Sequence, residues 1–411
     1  MKILVIGGGG REHALAWRLS RSASVTGLHA APGNPGIAEI ATCHAETDFL
    51  ALAQALAVDL TVVGPEAPLV AGIVDRFRWH NMPIVGPDAR NAALEGSKIH
   101  AKRFMQKLGV PTARFHTAGN SAEATDALRD FRYPVVLKTD GLAAGKGVII
   151  AQSELEAHDA LATLPFPLVI EEFLEGEEVS FIALCDGKRA IALEPSQDHK
   201  RVFDGDLGPN TGGMGAYSDS RILSAPERSL ILETVILPVV RATQFTGFLY
   251  AGLMMTSRGP EVLEFNVRLG DPETQPLMMR ISSDWGEALM AAAHGALRDD
   301  SISWSPEPAA CIVMASEGYP GTFATGHVIS GIQNVTGATV FHAGTKLDPA
   351  TGDLVTAGGR VLGVTAVGSD LRQSLERAYE ATARIHFSGA HFRKDIGKRG
   401  LAAIQSGVAG T

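Results

Sequence analysis

The chain has 411 residues, too many for one hydrophobic core, so two or three domains are expected. Hydrophobic residues make up 45% and charged residues 20%, which is ordinary soluble globular composition and excludes a disordered or fibrous protein. A net charge of −9 argues against a nucleic-acid or anionic-membrane partner, and no apolar run approaches the ~20 residues of a membrane helix. The start, "MKILVIGGGGREHA", is not a signal peptide, because its short apolar part runs straight into glycines. Cys43, Cys185 and Cys311 show no CxxC spacing and read as buried free thiols, so the expected location is the reducing cytoplasm.

In chain order, "KILVIG" at 2–7 predicts a strand and "REHALAWRLSRS" a helix. "DLTVVG" at 59–64 and "MPIVG" at 82–86 predict further strands. That rhythm means βαβ units and a parallel sheet. Ligands bind such sheets at the strand-end loops, here "GGGGRE", "APGNPG" at 31–36 and "GPEAPLV" at 64–70. A second region runs from about 100 to 310. "SKIHAKRFMQKLG" predicts a helix stopped by Gly109 and then Pro111. "PLVIEEFLEGEEVSFIALCDG" predicts two strands, and "GFLYAGLMMTSRGPEVLEFNVRLG" a hairpin turning at Ser257–Pro260. From about 311 come strands "CIVMAS", "TVFHAGTK" and "RVLGVTAVG", then an amphipathic helix near 370–387.

The motifs decide the chemistry. In "IGGGGREHA" a strand, glycines and a helix start make an anion site. A dinucleotide fingerprint fails, because its third glycine position holds Glu12; a phosphate-bearing ligand and a merely tight turn both remain. In "VVLKTDGLAAGKGVII", Gly141 to Gly145 leaves three residues where a Walker loop needs four, and Gly147 follows Lys146 where a hydroxyl is needed. The β-branched flanks make this a glycine loop between two antiparallel strands, able to fold over phosphates with its backbone N–H groups. Lys138 is placed to reach a phosphate; the bland alternative is a surface hairpin. "LVIEEFLEGEE" is either a solvated strand end or an adenine reader. In "EVLEFNVRLGDPETQP", alternation puts Glu264 and Asn266 on one strand face and Leu263 and Phe265 on the other. A carboxylate and an amide oxygen two residues apart suit Mg²⁺ shared with nucleotide phosphates. Arg268, further along that face, could grip a carboxylate or phosphate; the alternative is a plain Glu264–Arg268 salt bridge. "SQDHKRVFDGDLGPNTGGMGAY" at 196–217 is polar and glycine-dense, as a backbone that must approach a ligand requires. No Ser-His-Asp set is visible.

These blocks, with "LEGSK", "GFLYAGLM" and "FRKDIG", together resemble the phosphoribosylamine–glycine ligase (glycinamide ribonucleotide synthetase) family of the ATP-grasp superfamily, in order and over nearly the whole chain. The resemblance implies an α/β and α+β multidomain fold. It has an N-terminal parallel-sheet pre-ATP-grasp domain (1–100), an ATP-grasp domain (101–310) with a mobile lid at about 112–185, and a small C-terminal α+β domain (311–411). It implies ATP-dependent ligation of glycine to phosphoribosylamine in purine biosynthesis, with Mg²⁺ or Mn²⁺, in a monomer. By the same resemblance Lys98 and Lys138 contact ATP phosphates, Gly141, Gly145, Lys146 and Gly147 close over them, Glu171, Glu172, Phe173 and Leu174 line the adenine, and Glu178 takes the ribose. Glu264 and Asn266 bind the metal. Gly9, Gly10, Glu12, Gly33, Asn34, Pro65 and Glu66 hold phosphoribosylamine. Asp206, Asn210, Thr211, Gly212, Arg268 and Asp271 hold glycine and the acyl phosphate. Two departures stand out: a short connection, "AQSELEAHDALATLPFP", after the flap, and no carboxylate on the strand "GFLYAGLMMT". An NAD-dependent oxidoreductase, an ATP-grasp enzyme with other substrates and a silent nucleotide-binding protein are the competing readings.

Overall fold

The first strand, Lys2–Gly7, has no polar face: Ile3, Leu4, Val5 and Ile6 are all fully buried, the mark of a central parallel strand. It pairs in parallel with Gly27–Pro32 on one side and Leu60–Val63 on the other. Thr42–Cys43 and Ile84–Val85 complete a five-stranded sheet in the computed structural model, which describes residues 1–142 and 147–405. The strand-end loops after residues 7, 32 and 63 therefore share one edge. Gly27–Pro32 and Thr42–Cys43 were not expected as strands; the first is "GLHAAP", without a β-branched residue.

Helix Lys98–Leu108 starts at Ser97, whose hydroxyl accepts from His100 N at 3.1 Å, and stops at Gly109 with φ +69°. It leads into a four-stranded antiparallel sheet ordered Phe115–Ala118, Leu168–Glu172, Val135–Thr139, Val148–Ala151. Two helices, Ser121–Leu128 and Glu154–Thr163, bury Leu128 and Leu161 against Val135, Leu137 and Ile170 in a core of their own. The flap segment is thus strand–loop–strand, with Lys138 opposite Val148. The short connection after it forms a single helix. Strand Glu177–Asp186, inside the expected lid bounds, belongs instead to the next sheet.

That sheet has ten strands. Its path runs Gly259–Asn266, Thr246–Thr256, Glu177–Asp186, Ser196–Asp198, Gly215–Ser218, Ala309–Ser316, Arg360–Val367, Thr339–His342. It crosses the expected boundary at 310 without a break, because Ala216 pairs with Cys311. The expected hairpin forms, with Tyr250 opposite Asn266. Strict alternation fails at one point: Gly252 faces Glu264 while Leu253 faces Val262, so Leu263 is the extra residue of a bulge. "TVFHAGTK" is two strands, Thr339–His342 and Thr345–Leu347, in different sheets. Leu4 and Ile6 share a core with Phe181 and Phe265, and Ile3 and Val5 share another with Phe248 and Trp285. The parallel sheet and the large sheet are therefore fused on both faces. Cys185 and Cys311 are buried, whereas Cys43 is only half-buried, because it lies on the outermost strand, which has a neighbouring strand on one side alone. Among the described residues no helix is long and apolar enough to cross a membrane.

Candidate active site

A cleft of about 780 Å³ opens between the lid sheet, the bulged hairpin and the C-terminal region. Its lid-side wall starts at the flap root. Asp140 accepts from Ile99 N at 3.1 Å and from Ser97 Oγ, so it sits on the N-terminus of helix Lys98–Leu108, where a carboxylate is stabilised by free N–H groups and the helix dipole. Lys98 donates to Gly141 O at 2.8 Å. Lys138 donates to the bulge carbonyl of Leu263 at 3.1 Å and lies 3.1 Å from Glu171 Oε1. Gly141 and Gly147 line the cleft; Gly145 and Lys146 lie outside the described residues.

Glu171 is fully buried, and its second oxygen is 3.0 Å from Lys102 Nζ. Glu172 accepts from Arg258 Nη2 and Arg114 N. Both carboxylates are engaged in the scaffold, although Glu171, Glu172, Phe173 and Leu174 all line the cleft. Glu178 is hydrogen-bonded to Lys200, which is also 3.9 Å from Glu264.

Glu264 keeps about 41% of its side chain open. Burial opposes its charge, but Lys200, Lys138 and Lys98 prevail and hold it below the usual carboxylate range. Lys200 is raised, since Glu178, Asp198 and Glu264 outweigh its own burial. Asn266 Oδ1 accepts from Arg268 Nη2 at 3.0 Å. Among the described residues no three His, Cys, Asp or Glu cluster as a metal cage. One ionised, accessible carboxylate beside an amide oxygen still fits Mg²⁺, which usually takes one or two carboxylates and completes its shell with phosphates and water.

Arg268 is clamped by Glu95 Oε1 at 2.8 Å and Glu66 Oε2 at 3.4 Å. Asp271 pairs with Arg360 Nη2 at 2.7 Å and accepts from Gln275. Asp206, at φ +56°, pairs with Arg393 at 3.0 Å and with Arg399. Asn210, Thr211 and Gly212 line the cleft; Thr211 Oγ1 donates to Lys200 O and Gly212 N to Tyr319 OH.

The N-terminal loops stand behind this wall. Glu12 accepts from Gly9 N at 2.7 Å and Arg11 Nε at 2.6 Å, and it fills the space beside Gly64. Asn34 caps the turn at Ile37 N and donates to Gly8 O and His342 O. Gly33 N donates to Gly7 O. Pro65 precedes the short helix that Glu66 opens, and Gly10 lies close to Gln275 and Asp271. Of this group only Glu66 lines the cleft, joined there by Arg11. The side chains of Glu12 and Asn34 hold the loops in shape.

Sequence reasoning missed Glu95, Lys102, Tyr319 and Arg360. Lys102 left a trace: a lysine next to Ala101 on the buried face of its helix. Nothing in "GGRVLGV" marks Arg360 as a cleft residue.

Models of phosphoribosylglycinamide synthetase match in tandem: its N domain at residues 1–95, its ATP-grasp (A) domain at 96–274 and its C domain at 309–399. The chain is similar to the phosphoribosylamine–glycine ligase of Xylella fastidiosa (strain 9a5c), at 49% identity over 98% of this chain and 97% of the relative. The same holds for that of Streptomyces coelicolor, at 49% identity over 98% and 100%. A crystal structure of phosphoribosylamine–glycine ligase from Thermotoga maritima superposes with a TM-score of 0.85 at 32% identity, covering 96% of this chain and 100% of that one.

Proposed function

The chain belongs to the phosphoribosylglycinamide synthetase family, and from that premise and the cleft we infer that it joins glycine to 5-phosphoribosylamine at the expense of ATP. The products are glycinamide ribonucleotide, ADP and phosphate, a step of purine biosynthesis. The observation that carries this reading is the run of Lys98, Lys138, Glu264, Asn266 and Arg268 along one cleft bordered by the paired strands Val135–Thr139 and Val148–Ala151.

The glycine carboxylate attacks the γ-phosphorus of ATP and releases ADP, giving glycyl phosphate. The amine of phosphoribosylamine then attacks the acyl carbon, phosphate leaves, and the amine loses its proton. No side-chain nucleophile is needed; positioning and charge neutralisation do the catalysis. Lys98 and Lys138 hold phosphate oxygens. Arg268, fixed by Glu95 and Glu66, offers the glycine carboxylate or the acyl phosphate a cation that cannot swing away. Asp206 and Asp271, each tied to arginines of the C-terminal region, set the Asn210–Gly212 loop and the end of the hairpin around that acid. Glu264 and Asn266 would hold Mg²⁺ or Mn²⁺, whose charge neutralises the phosphates when bound. The flap shields the acyl phosphate from water. Arg11 and Glu66 face the amine substrate, whose phosphate suits the N-terminus of helix Gly10–Leu19.

The two buried thiols support the cytoplasm. The test is ADP release with glycine and fresh phosphoribosylamine, each omitted in turn. Release that needs neither or only one of them refutes the assignment.

A further inference from the structure

Lys102 is buried to 2% exposure. A lysine there is costly unless something uses its charge. Its ammonium touches Glu171 Oε2 at 3.0 Å and donates to Thr112 Oγ1 at 2.7 Å, and Thr112 in turn donates to Val262 O. The other Glu171 oxygen lies 3.1 Å from Lys138 Nζ but makes no directed hydrogen bond. The directed bond of Lys138 goes to Leu263 O instead. One carboxylate therefore serves two lysines from two elements. The trio carries one net positive charge at the wall of the cleft, and Lys138 keeps N–H groups to spare.

We propose that Lys102, through the carboxylate it shares with Lys138, is a positioning residue that keeps the Lys138 ammonium available to the phosphates of the nucleotide. Without a charge at Lys102, Glu171 pairs with Lys138 alone, draws its ammonium back into the wall and cancels it. The proposal rests on the nucleotide reading above. Lys102 faces Glu171 and Lys138 from the lid strands, Glu261 from the hairpin and the ring of Phe115 at 5.8 Å. Burial pushes its pKa down to about 8, against the pull of Glu171. The charge is present below that pH and is lost as pH rises through it.

The experiment is calorimetric titration with MgADP from pH 7 to 9, on the wild type and on Lys102→Met. At pH 7 the variant should bind about tenfold more weakly, and the two curves should converge above pH 8. Lys98, also held below the usual lysine range by burial, is present in both proteins, so the gap between the curves reports Lys102. Equal binding at pH 7, or a gap that is constant with pH, overturns the proposal. Glu171→Gln keeps the shape and serves if Lys102→Met does not fold: it should lose the fall in affinity near pH 8, and keeping that fall overturns the proposal too. A wild type that binds no MgADP at any pH overturns the nucleotide reading itself.

Discussion

Glu264 shows how one residue separates activity from stability. Its side chain is two-fifths open, so shortening it leaves no cavity, but it removes the carboxylate that three lysines converge on. Glu264→Ala should lower Mg²⁺-dependent ADP release by about 100-fold or more and leave the melting temperature nearly unchanged; full activity would remove Glu264 from the metal site. Gly247 behaves in the opposite way. It sits at φ +87°, and a Cβ there would lie 2.6 Å from the Cα of Gly86, where the large sheet meets the parallel one. Gly247→Ala should cost about 3 kcal/mol, from strain and forced separation together, visible in a urea melt. Both predictions start from residues whose types the sequence displays. The sequence already singles out Glu264 by its spacing from Asn266, whereas the role of Gly247 shows only in the fold, because "TGFLY" reads as an ordinary strand.

At the scale of elements, the 196–217 segment is held from outside itself. Arg393, buried to 1%, donates to Arg201 O and Asp206 Oδ1 and grips Asp395 with two nitrogens. Asp395 accepts from Gly205 N, and Asp204 accepts from Lys394 N. A tail segment thus sets a loop nearly two hundred positions earlier. Arg393→Ala should raise the KM for glycine several-fold, with little change for ATP, since the Lys98 and Lys138 side of the cleft is untouched; equal rises in both would mean general loosening. Elements with strong periodicity were legible in advance: the first strand, helix Lys98–Leu108, the flap and the hairpin. Gly27–Pro32 was not, because its strand state comes from pairing with Lys2–Gly7 rather than from its own residues. The Leu263 bulge was not either, since bulges arise from how two strands meet. Yet that bulge supplies the carbonyl that fixes Lys138.

Across the whole molecule, three histidines mark where distant segments close on each other. His13 of the first helix accepts from His342 N at 2.8 Å, and His199 meets Gly397 N. Burial, helped by the neighbouring His342, pushes His13 down to about 3. Burial brings His342 to about 4, and burial with nearby Arg393 brings His199 to about 4. Each folded value lies below the ordinary 6.5, so the unfolded chain takes up protons first as pH falls. Stability is complete above about pH 6.5 and should drop toward pH 4, by on the order of 2 kcal/mol for each histidine. A melting temperature that stays flat between pH 7 and 4.5 would contradict this.

The sequence by itself determined the strand–loop–strand nature of the flap, the parallel N-terminal sheet, the shared face of Glu264 and Asn266, and the family. All of these depend on residues near each other in the chain, where spacing and side-chain type translate directly into geometry. Only the tertiary structure decided that Glu171 is shared by Lys102 and Lys138, that Arg268 is clamped by Glu95 and Glu66, and that Arg360, Tyr319 and Arg393 brace the cleft from the C-terminal region. Those pairings join residues tens to hundreds of positions apart. A buried charge must find a partner somewhere, but the local sequence does not say where; the packing of the large sheet does.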